Sequence, residues 1–175
     1  ESIKAEIKGI SSGRSVADNS PSIDLLNEQL REAEKQLFKP IVGCETYLAK
    51  NSRFDRTDKE DRHNFHLILL AKNLEGYHNL VKLVSYGYTE GFYYKPRIDK
   101  ELLRQYSKGL IASSACLGGE IPQAILNNNI AEAERLIMEY RDIFGDDFYL
   151  ELMLHKSGEP RIDYEVYENQ LKVNK

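Results

Sequence analysis

Three side chains of the kinds that hold transition metals stand in three separate apolar stretches. Glu45 lies within Ile41-Val-Gly-Cys-Glu-Thr-Tyr-Leu48, His66 heads Phe65-His-Leu-Ile-Leu-Leu70, and Cys116 follows Gly109-Leu-Ile-Ala-Ser-Ser-Ala115 just before Gly118-Gly119. A carboxylate, an imidazole and a thiolate together are compatible with a zinc or manganese site. Each also has a plainer reading. A carboxylate in mid-strand must be paired, protonated or metal-bound if it faces an interior, but needs nothing at a solvent-facing edge. A histidine sharing a strand face with Ile68 and Leu70 fits a core residue that donates one ring hydrogen bond, and free cysteine is among the most buried residue types. Spacing does not decide, because neither HExxH nor CxxC occurs. His155, on one strand face with Glu151, is a weaker extra donor, while His63 and His78 read as surface residues.

A second constellation, Tyr93-Tyr-Lys-Pro-Arg97 with Lys100, sets cations beside aromatic rings. Such a loop can bind a phosphate or stack a base, with Arg97 as the weak phosphate candidate; a solvated loop held by tyrosine packing is the alternative. The sequence has no Gly-rich phosphate loop, no GxSxG elbow and no Ser/His/Asp arrangement, which removes nucleoside-triphosphatase and nucleophilic-hydrolase readings.

The elements that must position these groups change character near residue 38. Before it, Ile3, Ile7 and Ile10 fall at helical spacing, a polar stretch from Ser11 to Pro21 interrupts, and Ser22 can cap a second helix. In that helix Ile23, Leu26, Leu30, Ala33 and Leu37 form a narrow apolar stripe. Residues 1–38 therefore read as an antiparallel helical hairpin arm, whose stripe packs on its own partner or on the domain. Residues 39–175 read as strands alternating with helices: strands over Ile41–Leu48, Phe65–Ala71, Gly109–Ala115 and Asp147–His155, and helices over Leu74–Tyr86, Lys100–Tyr106, Ile121–Asn127, Ile130–Phe144 and from about Asp163. The loop Lys50–Arg62 is too charged to bury. This is an α/β pattern with a mostly parallel sheet, and four strands are few for it, since such a sheet buries both faces and a barrel closes with about eight.

Composition narrows the classes. Of 175 residues, 24 are basic and 28 acidic, so the net charge of −4 disfavours strong direct binding to duplex DNA by this piece. No apolar run approaches the ~20 residues that span a bilayer. Cys44 and Cys116 have no paired spacing and read as reduced thiols of a cytoplasmic protein. The chain starts at Glu1 and stops inside an amphipathic pattern, which reads as a piece of something longer.

The strings Lys39-Pro-Ile-Val-Gly-Cys-Glu-Thr-Tyr-Leu48, Phe65-His-Leu-Ile-Leu-Leu-Ala-Lys-Asn73, Glu75-Gly-Tyr-His-Asn-Leu-Val-Lys-Leu-Val-Ser85, Glu90-Gly-Phe-Tyr-Tyr-Lys-Pro-Arg97, Gly109-Leu-Ile-Ala-Ser-Ser-Ala-Cys-Leu-Gly-Gly-Glu120 and Phe144-Gly-Asp-Asp-Phe-Tyr-Leu-Glu-Leu152 resemble, in order, the polymerase and histidinol phosphatase (PHP) domain of bacterial replicative DNA polymerases, the DNA polymerase III alpha family. The resemblance implies part of a distorted seven-stranded (βα)7 barrel, truncated at both ends, that holds metal ions and is related to phosphoesterases and 3′–5′ exonucleases. It places Glu45, His66 and Cys116 at metal-ligand positions. It also implies a parent that extends DNA with magnesium at a site outside this chain, and partners that are DNA, through the parent, and the other subunits of the replicative polymerase. The family's remaining ligand segments, an HxH pair, a Thr-Asp-His turn and an Asn-Asp-x-His, are absent from these 175 residues. The excerpt is therefore expected to be catalytically inert and to have sticky edges that favour self-association. The alternative is a scaffold that supports the polymerase without hydrolysing anything. Residues 1–37 resemble a lineage-specific insertion. One tension remains, in that His66 begins its strand whereas barrel chemistry gathers at the other end.

Overall fold

The structure, a computed structural model, describes Lys4 and residues 22–36, 39–57 and 59–175. It separates at Pro40 into two compact units. In the first, α1 (Ile23–Gln36) starts where Ser22 accepts a hydrogen bond from the Leu25 amide at 3.3 Å, the expected cap. Leu26 is buried and Lys4 pairs with Glu34 at 3.1 Å. The first helix of the expected hairpin, with Ile3, Ile7 and Ile10, lies outside the described residues.

The second unit is built on a five-stranded sheet of order β3-β1-β2-β4-β5, comprising β1 (Gly43–Ala49), β2 (Asn64–Ala71), β3 (Arg97–Ile98), β4 (Leu110–Ser113) and β5 (Phe148–Tyr149). β1 runs parallel to β3 and β4 parallel to β5, but β2 is antiparallel to both its neighbours. Four strands thus point one way and β2 points back, so the expected mostly parallel sheet has one reversed member. Alternation along a strand reports its faces and not its direction, so the reversal left no mark in the sequence pattern.

Period-two alternation sorts the sheet into two unlike faces. Cys44, Thr46 and Leu48, opposite Leu69, Leu67 and Phe65, with Leu110 and Ala112 beyond, form the covered face. Upon it lie α2 (Leu74–Thr89), α3 (Lys100–Tyr106), α4 (Glu120–Leu126) and α5 (Ile130–Phe144), which contribute Leu80, Leu83, Leu102, Leu103, Ile121 and Leu136 to one core. Asn73, Asp99 and Asn129 cap α2, α3 and α5, their side chains accepting from the Gly76, Leu102 and Glu132 amides at 2.9, 3.1 and 3.2 Å. The other face carries Glu45, Tyr47, His66, Ile68, Leu70 and Ile111. None of these belongs to the core, and all are partly or fully exposed.

Two elements depart from expectation. The predicted strand Asp147–His155 pairs only at Phe148–Tyr149, and Leu150, Leu152 and Leu154 beyond it are 53, 74 and 62 % exposed. Its alternation is real, but among the described residues no strand lies alongside to complete the ladder. Conversely, the expected aromatic loop ends in β3, two residues that sequence periodicity is too short to reveal. The charged loop after β1 is not wholly solvated either. Arg53 is buried, pairing with Asp99 at 3.0 Å and Glu90 at 2.8 Å, and a short 3-10 turn at Glu60–Arg62 leads into β2.

Candidate metal centre

The reversal of β2 brings the three donors together. Glu45 pairs with Ile68 and Tyr47 with His66, so Glu45 and His66 are diagonal neighbours on the uncovered face, within reach across an antiparallel ladder. Because β2 runs backward, its first residues lie beside the carboxyl end of β4, where Cys116 follows. That resolves the placing of His66: the head of its strand is at the site end of the sheet.

A turn returns Cys116 to this face. Ala115 adopts φ +56°, and a Cβ on Gly119 would lie 2.1 Å from the Ser114 carbonyl oxygen, so only glycine fits there. The His66 amide donates to the Gly118 carbonyl at 3.0 Å, and Gly118 sits close to the His66 ring, where an added Cβ would stand 3.3 Å from it. The turn is thereby stitched to the start of β2.

One ligand atom each from Glu45, His66 and Cys116 lies within 4.8 Å of the others. Glu45 Oε1 is 2.8 Å from His66 Nδ1, and Cys116 Sγ is 3.4 Å from the same nitrogen. The Gly118 amide donates to Cys116 Sγ at 3.4 Å, which fixes the position of the sulfur. Tyr47 meets the His66 ring edge-on, with centroids 5.5 Å apart. The side chains of His66 and Glu45 are 31 and 56 % exposed, so the group is open to solvent and neither residue is packed in the core. Cys44, one residue from Glu45, points to the covered face, where burial and then the Glu45 charge push its thiol up and keep it protonated.

The remaining sequence candidates lie elsewhere. Arg97 is only 1 % exposed, and its guanidinium donates to the carbonyls of Gly91, Asp61, Arg53 and Asp55 at 2.8 to 3.0 Å. It clips two loops together and faces inward. Lys100 bridges Glu120 and Glu139. His155 is held by Gln170, its amide donating to Oε1 at 2.7 Å and its Nδ1 lying 3.0 Å from Nε2. His63 and His78 are exposed, as expected. Sequence reasoning missed Tyr47 as the neighbour of His66; strand parity, which puts residues 45 and 47 on one face, was the available signal.

The donor set suits a borderline-soft divalent ion. From Zn–N of about 2.0–2.1 Å and Zn–S of about 2.3 Å, a tetrahedral centre separates nitrogen and sulfur by about 3.5 Å, close to the spacing of His66 and Cys116. The shorter Glu45–His66 contact is a hydrogen bond between two groups able to serve as ligands.

A family model described as the PHP domain matches residues 16–155. The chain belongs to the PHP domain family. Among the curated relatives of this PHP domain, DNA polymerase III subunit alpha of Borreliella burgdorferi is 53 % identical over 126 residues, which cover 71 % of the chain and 11 % of the relative. That of Chlamydia trachomatis is 46 % identical over 159 residues, 84 % of the chain and 13 % of the relative. That of Thermus aquaticus is 51 % identical over 130 residues, 73 and 11 % respectively. The chain thus spans only about an eighth of the length of the relatives it matches. Among the described residues no helix is long and apolar enough to cross a membrane.

Proposed function

We propose that Glu45, His66 and Cys116 are ligands of a divalent metal, zinc or manganese, in the phosphoesterase-type PHP centre of a replicative DNA polymerase. The observation that carries this is the convergence of a carboxylate, an imidazole and a thiol from β1, β2 and the turn after β4 within 4.8 Å. When bound, the ion would supply Lewis acidity toward a phosphoester oxygen. The chain's own contribution is placement: the β1–β2 ladder orients Glu45 against His66, the Gly118 amide holds Cys116 Sγ, and the uncovered face admits a ligand. Three donors leave a centre incomplete, so this excerpt is inert alone, and the rest of the parent supplies the missing ligands and adds strands at the edges of the sheet to close a barrel. The parent polymerises DNA in the cytoplasm with magnesium elsewhere in its sequence, acting on DNA beside other polymerase subunits. The excerpt self-associates through its unfilled edge, and residues 1–38 form a helical arm distinct from the domain at 39–175.

Cobalt(II) titration of the chain tests the centre. A thiolate-to-cobalt charge-transfer band is expected, abolished by Cys116→Ser and weakened at least tenfold in affinity by Glu45→Ala. A titration without the band, or a band that survives Cys116→Ser, overturns the assignment. In the intact parent, Glu45→Ala should spare primer extension and reduce hydrolysis of a 3′ end. Unchanged metal content and unchanged hydrolysis would favour the scaffold reading instead.

A further inference from the structure

Beside the three donors, on the same uncovered face, stands a cation that the centre does not use. The Lys95 ammonium lies 4.1 Å from the centroid of the Tyr47 ring, and Tyr47 in turn meets His66 edge-on at 5.5 Å. The two distances put the ammonium under about 10 Å from the centroid of the His66 ring. Lys95 is exposed and, among the described residues, has no carboxylate partner, whereas Lys50 and Lys100 pair with Glu60 and with Glu120 and Glu139.

Its place is also built. Tyr93 donates its amide to the Lys95 carbonyl at 3.1 Å across a tight turn whose apex, Tyr94, takes φ +60°, a conformation that disfavours a bulky side chain. Arg62 braces that turn by stacking over the Tyr94 ring at 4.4 Å. Two residues on, Arg97 anchors the same segment through four backbone carbonyls. A strained, doubly anchored turn that delivers an unpaired ammonium to an open face beside a donor cluster is arranged for an anion.

We propose that Lys95, steadied by Tyr47, binds a phosphate of a phosphoester ligand adjacent to the metal centre. This rests on the metal-centre reading and extends it: the donors hold the ion, while Lys95 fixes the position of a neighbouring phosphate. Arg97, two residues away, is the anchor of the turn and makes no contact with the anion.

The test uses the whole chain and its Lys95→Gln and Lys95→Arg variants, with two probes, fluorescein-labelled (dT)6 followed by anisotropy and inorganic phosphate followed by calorimetry. Lys95→Gln is expected to weaken binding about three- to tenfold, to lower the salt slope for (dT)6 by about one, and to be rescued by Lys95→Arg. Loss with (dT)6 alone supports the proposal with a strand phosphodiester as ligand, and loss with inorganic phosphate supports it with a small monoester. Affinity and salt slope unchanged in Lys95→Gln, or no binding of either probe by the parent sequence, overturns it. The cobalt band, read in the same samples, reports separately on the centre: an intact band with unchanged anion affinity sinks Lys95 alone, whereas a missing band sinks the metal reading.

Discussion

Replacing Arg97 by methionine separates an anchor from an anion contact. The side chain is essentially sealed from solvent, and its four hydrogen bonds end on the carbonyls of Gly91, Arg53, Asp61 and Asp55. Methionine fills most of the volume but donates nothing. The bonds to Gly91 and Arg53 are buried, and a buried carbonyl left without a partner costs about 2 kcal/mol. The bonds to Asp61 and Asp55 are partly buried, and water can replace the arginine at about 0.5 kcal/mol each. Against this, the variant no longer buries a guanidinium, whose desolvation already draws its pKa down, a relief of about 1–2 kcal/mol. The net expectation is a loss of about 3 kcal/mol, or about 10 °C in midpoint for a domain of this size. Lysine should rescue only part of it, since one ammonium cannot reach four diverging carbonyls. Urea and thermal unfolding of the chain, with phosphate binding measured alongside, provide the assay. A variant of unchanged stability that had lost phosphate affinity would refute the anchor assignment and restore Arg97 as a ligand contact.

Three further outcomes are expected. Burial raises the Glu139 carboxyl, but Lys100, Arg104 and Arg135 around it outweigh this and hold it below its ordinary 4.5; the fold thus keeps it ionised where the unfolded chain would bind a proton, and its contribution is full above about pH 4.5 and lost as pH falls through the lowered value. Thermal midpoints should therefore drop more steeply below pH 4.5 in the parent sequence than in Glu139→Gln, and parallel profiles would contradict the network. Gly76→Ala would set a Cβ 1.7 Å from the Gly109 carbonyl oxygen and should cost about 2–3 kcal/mol by forcing α2 off the β4 approach, whereas Gly87→Ala, with nothing closer than 3.5 Å, should stabilise by about 1 kcal/mol; the two denaturation curves shifting alike would count against the packing described. Leu152→Lys, placed in the exposed unpaired segment, should move a concentration-dependent sedimentation profile toward monomer, and a parent sequence that is monomeric at high concentration would remove the basis for self-association.

Much of the layout was legible because burial imposes periodicity. The helices Lys100–Tyr106 and Ile130–Phe144 carry continuous apolar stripes and side-chain caps, and both occur over those residues. The strands around Glu45 and His66 were marked by β-branched and aromatic residues, and their alternation fixed which side chains share a face. Strand direction was not legible, since it depends on what lies between strands, and the charged loop after β1 gave no hint that it closes a hairpin. Nor was Asp147–His155: its alternating leucines meet the requirements of a strand, but pairing needs a neighbour, and among the described residues only Phe148 and Tyr149 have one. Arg53 and Arg97 misled because charge argued for solvent, whereas each is buried by satisfying its guanidinium with carboxylates or carbonyls more than 30 residues away in the main. For the donors, residue type offered a possibility and resemblance to a family singled them out, and the sheet register brought them together.

The reversed strand has a kinetic corollary. Glu45 and His66 are 21 residues apart along the chain and meet by zipping a single hairpin, a closure whose entropic demand grows only slowly with loop length. Cys116 arrives 50 residues after His66 and must await docking of α2, α3 and β4. These separations predict that the donor set assembles in order, oxygen and nitrogen first and sulfur last, so a metal supplied during refolding should gain its thiolate signature in the slower phase.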